Sequence, residues 1–452
     1  MRSSSKFLFL KRMKKLTFFS LPLSLGLLVH MAANFISMLI VAKLGKTELA
    51  AAALAVSTFL PILTISTTIF YAIGILISHH TGQERAKTEI GILVKNGFFM
   101  AVLCFIPAAI ALYNIDKVLL LFGQDPALVE LTKPYFHYAA FVLLPSLIGV
   151  VITQFYSGIG FPRFTLIVSL ITLPLIVFFS YALILGKFGF PKLGLGGVSC
   201  STLIVQTLII SSVLFLIKSL KSMREYAIFK GLFKPDLTIC KTIFSLGFPI
   251  GVQFGGELAA MAVVTYFMGY YGVPALAAAQ IVSQYSMLTI MIILGLTQAG
   301  SLLISQAFAK KSKEIILEYT SAGLVLMGIV FLFFMSLFIF IPEILIKPFL
   351  TISDPQNAYT IYLAKIFFLI NGVLILFDGA RNFLSSALRG LHDSKAPMKI
   401  GLFCLWFISL PVSAIAGLLF WGPIGLRAGF VSGFVIATLL LWKRICKRIE
   451  EL

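Results

Sequence analysis

The chain has 452 residues, of which 59% are hydrophobic and only 12% charged. Soluble domains carry about a quarter charged residues and disordered chains are poor in apolar ones, so both classes are excluded. In so apolar a chain the net charge of +19 points to basic loops facing an anionic leaflet, not to nucleic acid.

In chain order, the N-terminus is basic (Arg2, Lys6, Lys11, Arg12, Lys14, Lys15), and an apolar run follows from Leu16 to Ala42. That run is too long for the core of a signal peptide and reads as an uncleaved first helix. Further apolar segments cover 49–78, 96–115, 135–155, 164–186, 196–217, 242–271, 277–306, 320–346, 359–388, 400–420 and 425–442. A span needs roughly 20 residues. The predicted fold is therefore an all-α polytopic membrane protein with twelve transmembrane helices in two pseudo-symmetric six-helix lobes. Its parts are an N-terminal lobe over 1–225, a cytoplasmic linker over 226–241 and a C-terminal lobe over 242–452. With both termini in the cytoplasm, 26 Lys and Arg fall inside and 9 outside, the bias that the positive-inside rule demands. Trp421 and Trp442 fall near span ends, where interfacial aromatics belong. The five cysteines are widely spaced without a CxxC pair, which argues against a disulfide framework or zinc site.

The two halves repeat. At a shift of 227, Pro22 meets Pro249, Gly45 meets Gly272, Leu49-Ala50-Ala51-Ala52 meets Leu276-Ala277-Ala278-Ala279, and Leu76-Ile77-Ser78 meets Leu303-Ile304-Ser305. Six spans per half give both halves the same orientation, so the repeats are parallel, about an axis along the membrane normal. That architecture suits an alternating-access carrier better than a channel.

The intramembrane charges are few. Of 17 acidic residues, only Glu257 in span 7 and Asp378 in span 10 lie well inside a span, with Arg381 the only basic residue so placed. A mid-membrane charge costs roughly 2.5–3.5 kcal/mol on insertion scales, which makes such residues functional candidates. Two carboxylates sharing a cavity could hold Na+ or share a proton. Asp378 and Arg381, three residues apart, could instead form a structural pair on one helix face. Glu257 has no charged neighbour on its own helix face, but Gln253 is positioned to donate a hydrogen bond to it. The N-terminal half offers weaker polar groups on span 1: His30, Asn34 and Ser37. His30 is the repeat partner of Glu257. Gly45-Lys46-Thr47 lacks the first glycine of a phosphate loop, since position 40 is Ile. No hydrolase or zinc-protease motif occurs, so no enzyme and no cofactor is expected.

Taken together these residues resemble the MATE (multidrug and toxic compound extrusion) transporters over nearly the whole length, and their bacterial NorM-like branch in particular. The matching pieces are Leu44-Gly45 with Leu49-Ala50-Ala51, then Gly186 with Phe190-Pro191-Lys192-Leu193-Gly194-Leu195-Gly196-Gly197. The second half adds Gly247-Phe248-Pro249-Ile250 with Gln253 and Glu257, Ala277-Ala278-Ala279-Gln280-Ile281, Asp378, Leu388-Arg389-Gly390 and Asp393. The resemblance implies two six-helix lobes and an antiporter that exchanges Na+ or H+ for organic, often cationic, compounds. It also implies a cation site at Glu257 and Asp378. Gln253, Arg381 and Gln280 are the candidate supporting polar groups around it. Four positions depart from the pattern: Ser37 stands where many bacterial members have Asp, Ile176 and Ser180 where Asn or Asp is common, and Arg381 is unusual one turn after the aspartate.

The reading is thus a secondary active efflux antiporter of a bacterial inner (plasma) membrane, monomeric, with small-molecule substrates and the lipid bilayer as its partners. A lipid-linked saccharide flippase of the same superfamily, and a channel or non-transporting membrane protein, are the alternatives.

Overall fold

The computed structural model describes residues 2–121, 123–230 and 234–451, and the side chains of all of these except 2–6 and 46. Positions 231–233 of the anticipated linker, the side chains of Arg2 and Lys6 in the basic tail and that of Lys46 lie outside the described residues.

The described chain is helical, without a strand. The main elements of the first half are α1 (Arg2–Ala42), α2 (Lys46–Thr68), α3 (Tyr71–Gly82), α4 (Lys87–Tyr113), α5 (Pro126–Gly158), α6 (Arg163–Leu185) and α7 (Gly196–Ser219). Those of the second half are α8 (Leu237–Tyr270), α9 (Val273–Ala309), α10 (Lys313–Phe340), α11 (Ala358–Gly390), α12 (Lys395–Phe403), α13 (Leu410–Ile415) and α14 (Gly422–Glu450). Among the described residues, 11 helical stretches are long and apolar enough to cross a membrane. The last of them, Lys395–Glu450, has 56 residues. As one straight helix it would measure about 84 Å, far more than the ~30 Å hydrocarbon core. It folds back at Gly422, whose φ of +56° favours glycine. Beyond the turn α14 runs antiparallel to α12 and α13: Ser409 Oγ donates to the Phe430 carbonyl, and Ser413 Oγ to that of Leu426. Turns of π-helix at Cys404–Ser409 and Ala416–Trp421 interrupt the first limb. This stretch therefore holds two spans, and the count of twelve stands.

Contacts divide the chain into two compact units, Met1–Ser24 with Val252–Leu452, and Leu25–Gly251. The boundaries differ from the lobes expected at 1–225 and 242–452, and the reason is local. Both cuts fall inside a helix, in α1 after Ser24 and in α8 after Gly251, each two residues beyond a proline, Pro22 or Pro249. A proline removes one i→i−4 bond and loosens the helix there. The two cuts are one repeat apart, the same 227 that aligns the halves.

The same symmetry shows within each unit. In the C-terminal unit, Ser24 Oγ donates to the Ile292 carbonyl at 3.1 Å. In the N-terminal unit the repeat partners meet likewise: a Cβ on Gly251 would sit 3.0 Å from the Ile65 carbonyl oxygen. Gly45 and Gly272, also repeat partners, have φ of +143° and +87° and open α2 and α9.

In lipid the hydrophobic effect does not drive helices together, so close packing at small residues must. The C-terminal unit shows this around Phe383, fully buried, whose ring lies against Gly300 and Gly323. On the outside, large apolar side chains such as Phe215, Leu332 and Leu439 are exposed, as a lipid-facing surface requires.

Candidate coupling site

The C-terminal unit brings Glu257 and Asp378 onto one group, Arg381. Glu257 lies midway along α8, and Asp378 and Arg381 one turn apart on α11. Arg381 Nη1 donates to Glu257 Oε1 at 2.6 Å and Nη2 to Glu257 Oε2 at 3.1 Å. The same Nη2 donates to Asp378 Oδ1 at 2.9 Å. The planar guanidinium suits this fork-to-carboxylate geometry, and such charge-assisted bonds are about twice as strong as neutral ones.

Neighbouring amides complete the cluster. Gln253 Nε2 donates to Glu257 Oε1 at 2.9 Å, from one turn earlier on α8. Arg389 Nη2 donates to Gln253 Oε1 at 2.8 Å, and Asn382 Nδ2 donates to Asp378 Oδ1 at 2.9 Å. Each guanidinium lies over a ring, Arg381 Cζ 5.0 Å from the centroid of Phe434 and Arg389 Cζ 5.3 Å from that of Phe254. Two carboxylates and two guanidinium groups sum to no net charge, which makes burial of the cluster tolerable. Exposure is uneven: the Arg381 side chain is 3% exposed, those of Glu257 and Asp378 15% and 12%. The acids are thus the parts that open toward solvent.

With Arg381 in place, no sodium ion fits between Glu257 and Asp378. Nη2 of Arg381 already stands between Oε2 of one and Oδ1 of the other, within hydrogen-bonding distance of both. No group of three or more His, Cys, Asp or Glu suited to a metal occurs among the described residues.

The other candidates scatter. Gln280 is exposed on α9 and makes no hydrogen bond to this cluster among the described residues. His30 and Asn34 are exposed on α1, whereas Ser37 is buried. Ser37 Oγ donates to the Ala33 carbonyl at 3.0 Å and pairs with Ser180 Oγ at 3.1 Å, which pairs with Ser201 Oγ at 2.8 Å. Ile176 packs in an apolar cluster with Ala33 and Val205. At the positions where an acid or amide was absent from the sequence, the N-terminal unit therefore carries two hydroxyls, Ser37 and Ser180, linked on to Ser201, and one apolar side chain, Ile176.

Two participants escaped the sequence reading. Arg389 lies just beyond the apolar segment 359–388 and was not counted among the intramembrane charges, yet it is buried at the end of α11. Asn382 was not singled out, although its i+4 spacing from Asp378 marks it as a neighbour on the same helix face.

Comparison with known proteins places these features in context. The chain matches the family model described as MatE over residues 22–182 and 249–415, two stretches that start at the repeat partners Pro22 and Pro249. A probable multidrug resistance protein NorM of Rhizobium meliloti (strain 1021) is 30% identical over 435 residues, covering 94% of this chain and 91% of that protein. The multidrug resistance protein NorM of Burkholderia vietnamiensis is 29% identical over 435 residues, covering 93% and 91%. Among solved structures, the Vibrio cholerae MATE transporter VcmN in its bent form superposes with a TM-score of 0.85 at 17% identity, covering 98% of each chain. A MOP superfamily transporter from Pyrococcus furiosus gives 0.82 at 17% identity, covering 97% of this chain and 96% of that one.

Proposed function

This chain belongs to the MatE family, and from that premise we propose that the Glu257–Arg381–Asp378 cluster is where it couples export to an ion gradient. The protein is a multi-pass membrane transporter for multidrug efflux, not an enzyme. The flippase and channel readings lose their footing with that membership.

The proposed cycle is secondary active antiport by alternating access, with sodium or protons as the driving ion and amphipathic organic cations as cargo. The observation that carries it is the convergence of two membrane-buried carboxylates, from separate helices, on one guanidinium. A purely structural role is a costly use of buried charge, because a well-packed apolar substitute is often at least as stable. The shared arginine also provides a two-state element. Its Nη2 serves both acids, so any cation that engages one carboxylate frees the guanidinium to favour the other. A change at the cluster thereby becomes a change in how α8 is tied to α11. One charge moving through a potential of about 100 mV supplies roughly 2.3 kcal/mol, enough to shift such an equilibrium about fiftyfold. The setting we propose is a bacterial inner membrane, with a monomer whose two termini are cytoplasmic. The 26-to-9 distribution of basic residues supports that orientation.

The test is reconstitution in liposomes with a fluorescent organic cation, under a sodium gradient without a pH gradient and then the reverse. Wild type should move the cation under one of them, and Glu257→Gln under neither while remaining folded in the membrane. Full transport by Glu257→Gln would refute the assignment of the coupling site.

A further inference from the structure

We propose that Arg381 is a tethered substitute for the coupling cation, and that it closes the Glu257–Asp378 site of this chain to sodium. The proposal rests on the coupling-site reading above and concerns which ion that site admits.

Geometry comes first. A hard cation held by both acids would need their oxygens at roughly 2.3–2.6 Å from one point, judged by the oxygen distances of calcium. The region between Glu257 Oε2 and Asp378 Oδ1 is filled by Nη2 of Arg381, at 3.1 and 2.9 Å. Glu257 Oε1 is no freer, since it accepts from both Nη1 of Arg381 and Nε2 of Gln253. Sodium could use these oxygens only after the guanidinium had left.

Charge balance points the same way. Glu257 and Asp378 are matched by Arg381 and Arg389, so a bound sodium ion would leave one uncompensated positive charge in a buried cluster. Guanidinium does not deprotonate in proteins, so both positive charges persist at any working pH.

Tethering decides the competition. Arg381 sits one turn from Asp378 on the same helix, packed over Phe434 and 3% exposed. It competes with a local concentration that a diffusing ion does not reach. Its departure would also strand a buried cation, because Nε is already buried without an acceptor. The charged groups facing the cluster are Glu257 from α8 and Asp378, Arg381 and Arg389 from α11, with the Cys404 thiol facing Arg381 from the limb before α14.

The experiment uses the full chain in lipid nanodiscs, with radioactive sodium as the binding probe and potassium or choline at equal ionic strength as controls. Thermal midpoints are recorded in the same buffers. Wild type should show neither saturable sodium binding nor a sodium-specific rise in midpoint. Arg381→Gln keeps a hydrogen-bonding side chain but removes the charge. It should gain saturable sodium binding, about tenfold or more tighter than the detection limit at which wild type shows none, and Arg381→Gln/Glu257→Gln should lose it again. Sodium binding by wild type, at an affinity unchanged in Arg381→Gln, would overturn the proposal. So would a folded Arg381→Gln protein that stays blind to sodium. If that variant does not accumulate, wild type still decides the matter: sodium-driven export lost in Glu257→Gln would overturn the role given to Arg381 while keeping the coupling site. Export that persists in Glu257→Gln under every gradient would instead remove the coupling-site reading itself.

Discussion

The Glu257–Arg381 pair is suited to a double-mutant cycle in which stability and transport should separate. Glu257→Gln takes from Arg381 its bonds at 2.6 and 3.1 Å and leaves it Asp378 at 2.9 Å. The cluster then holds one excess positive charge. Breaking a buried ion pair by removing one partner costs about 3–5 kcal/mol. Arg381→Gln should cost a similar amount, because it leaves two carboxylates that had shared one guanidinium. The double variant keeps Asp378 and Arg389, is again neutral, and should recover most of the loss, since removal of a whole buried pair is close to neutral for stability. The coupling energy should therefore be at least ~3 kcal/mol, against deviations of about 0.3–0.5 kcal/mol for independent sites. Unfolding midpoints in detergent micelles, measured for all four proteins, provide the cycle. Efflux should be absent from the double variant although its stability has returned, because Glu257 is gone. Losses that simply add would mean that the guanidinium is not held as described, and a double variant that transports would mean that the pair is only a brace.

Two further outcomes follow from packing and from the N-terminal unit. Gly323→Ala would drive a Cβ into the ring of Phe383, which is fully buried. Overpacking of that kind costs about 1–3 kcal/mol, so the thermal midpoint and membrane yield should fall, and an unchanged midpoint would show that the ring can retreat. Ser37→Ala removes hydroxyl contacts to Ala33 and Ser180, worth about 1 kcal/mol. Drug export should survive it, and a collapse of export rate in a folded protein would give the hydroxyl chain a part in coupling.

Much of this was legible because the bilayer imposes simple rules. Spans are apolar runs of fixed minimum length, and a carboxylate inside one must be held by something. That logic singled out Glu257, Asp378 and Arg381. Spacing on one helix gave the Asp378–Arg381 contact, but nothing in local sequence relates Arg381 to Glu257, 124 positions away. Only packing of α8 beside α11 creates that bond. Arg389 was misread because hydropathy ends a span where charge begins, whereas α11 continues to Gly390 and carries the arginine into the protein. Gln280 entered through resemblance rather than through spacing, and the structure leaves it exposed. The cuts inside α1 and α8 were equally hidden. Pro22 and Pro249 are visible as a repeated pair, but which half of a helix packs with which neighbours is a tertiary matter.

The way α1 is divided has a bearing on synthesis. Leu16, Phe19 and Leu23 belong to a core built with Leu303, Phe383 and Leu441, and Arg12 pairs with Glu318, 306 residues later. At about 5–20 residues per second, the first helix emerges some 15–60 s before the partners of its leading half exist. A water-soluble fold with so long a delay would leave those side chains exposed to aggregation. Here the acyl chains serve as an interim neighbour nearly as good as the final one, because lipid tails are as apolar as leucine. The membrane is thus the solvent that lets the leading half of α1 wait, and α14, which supplies Leu441 and Ile445 to the same core, ends the waiting.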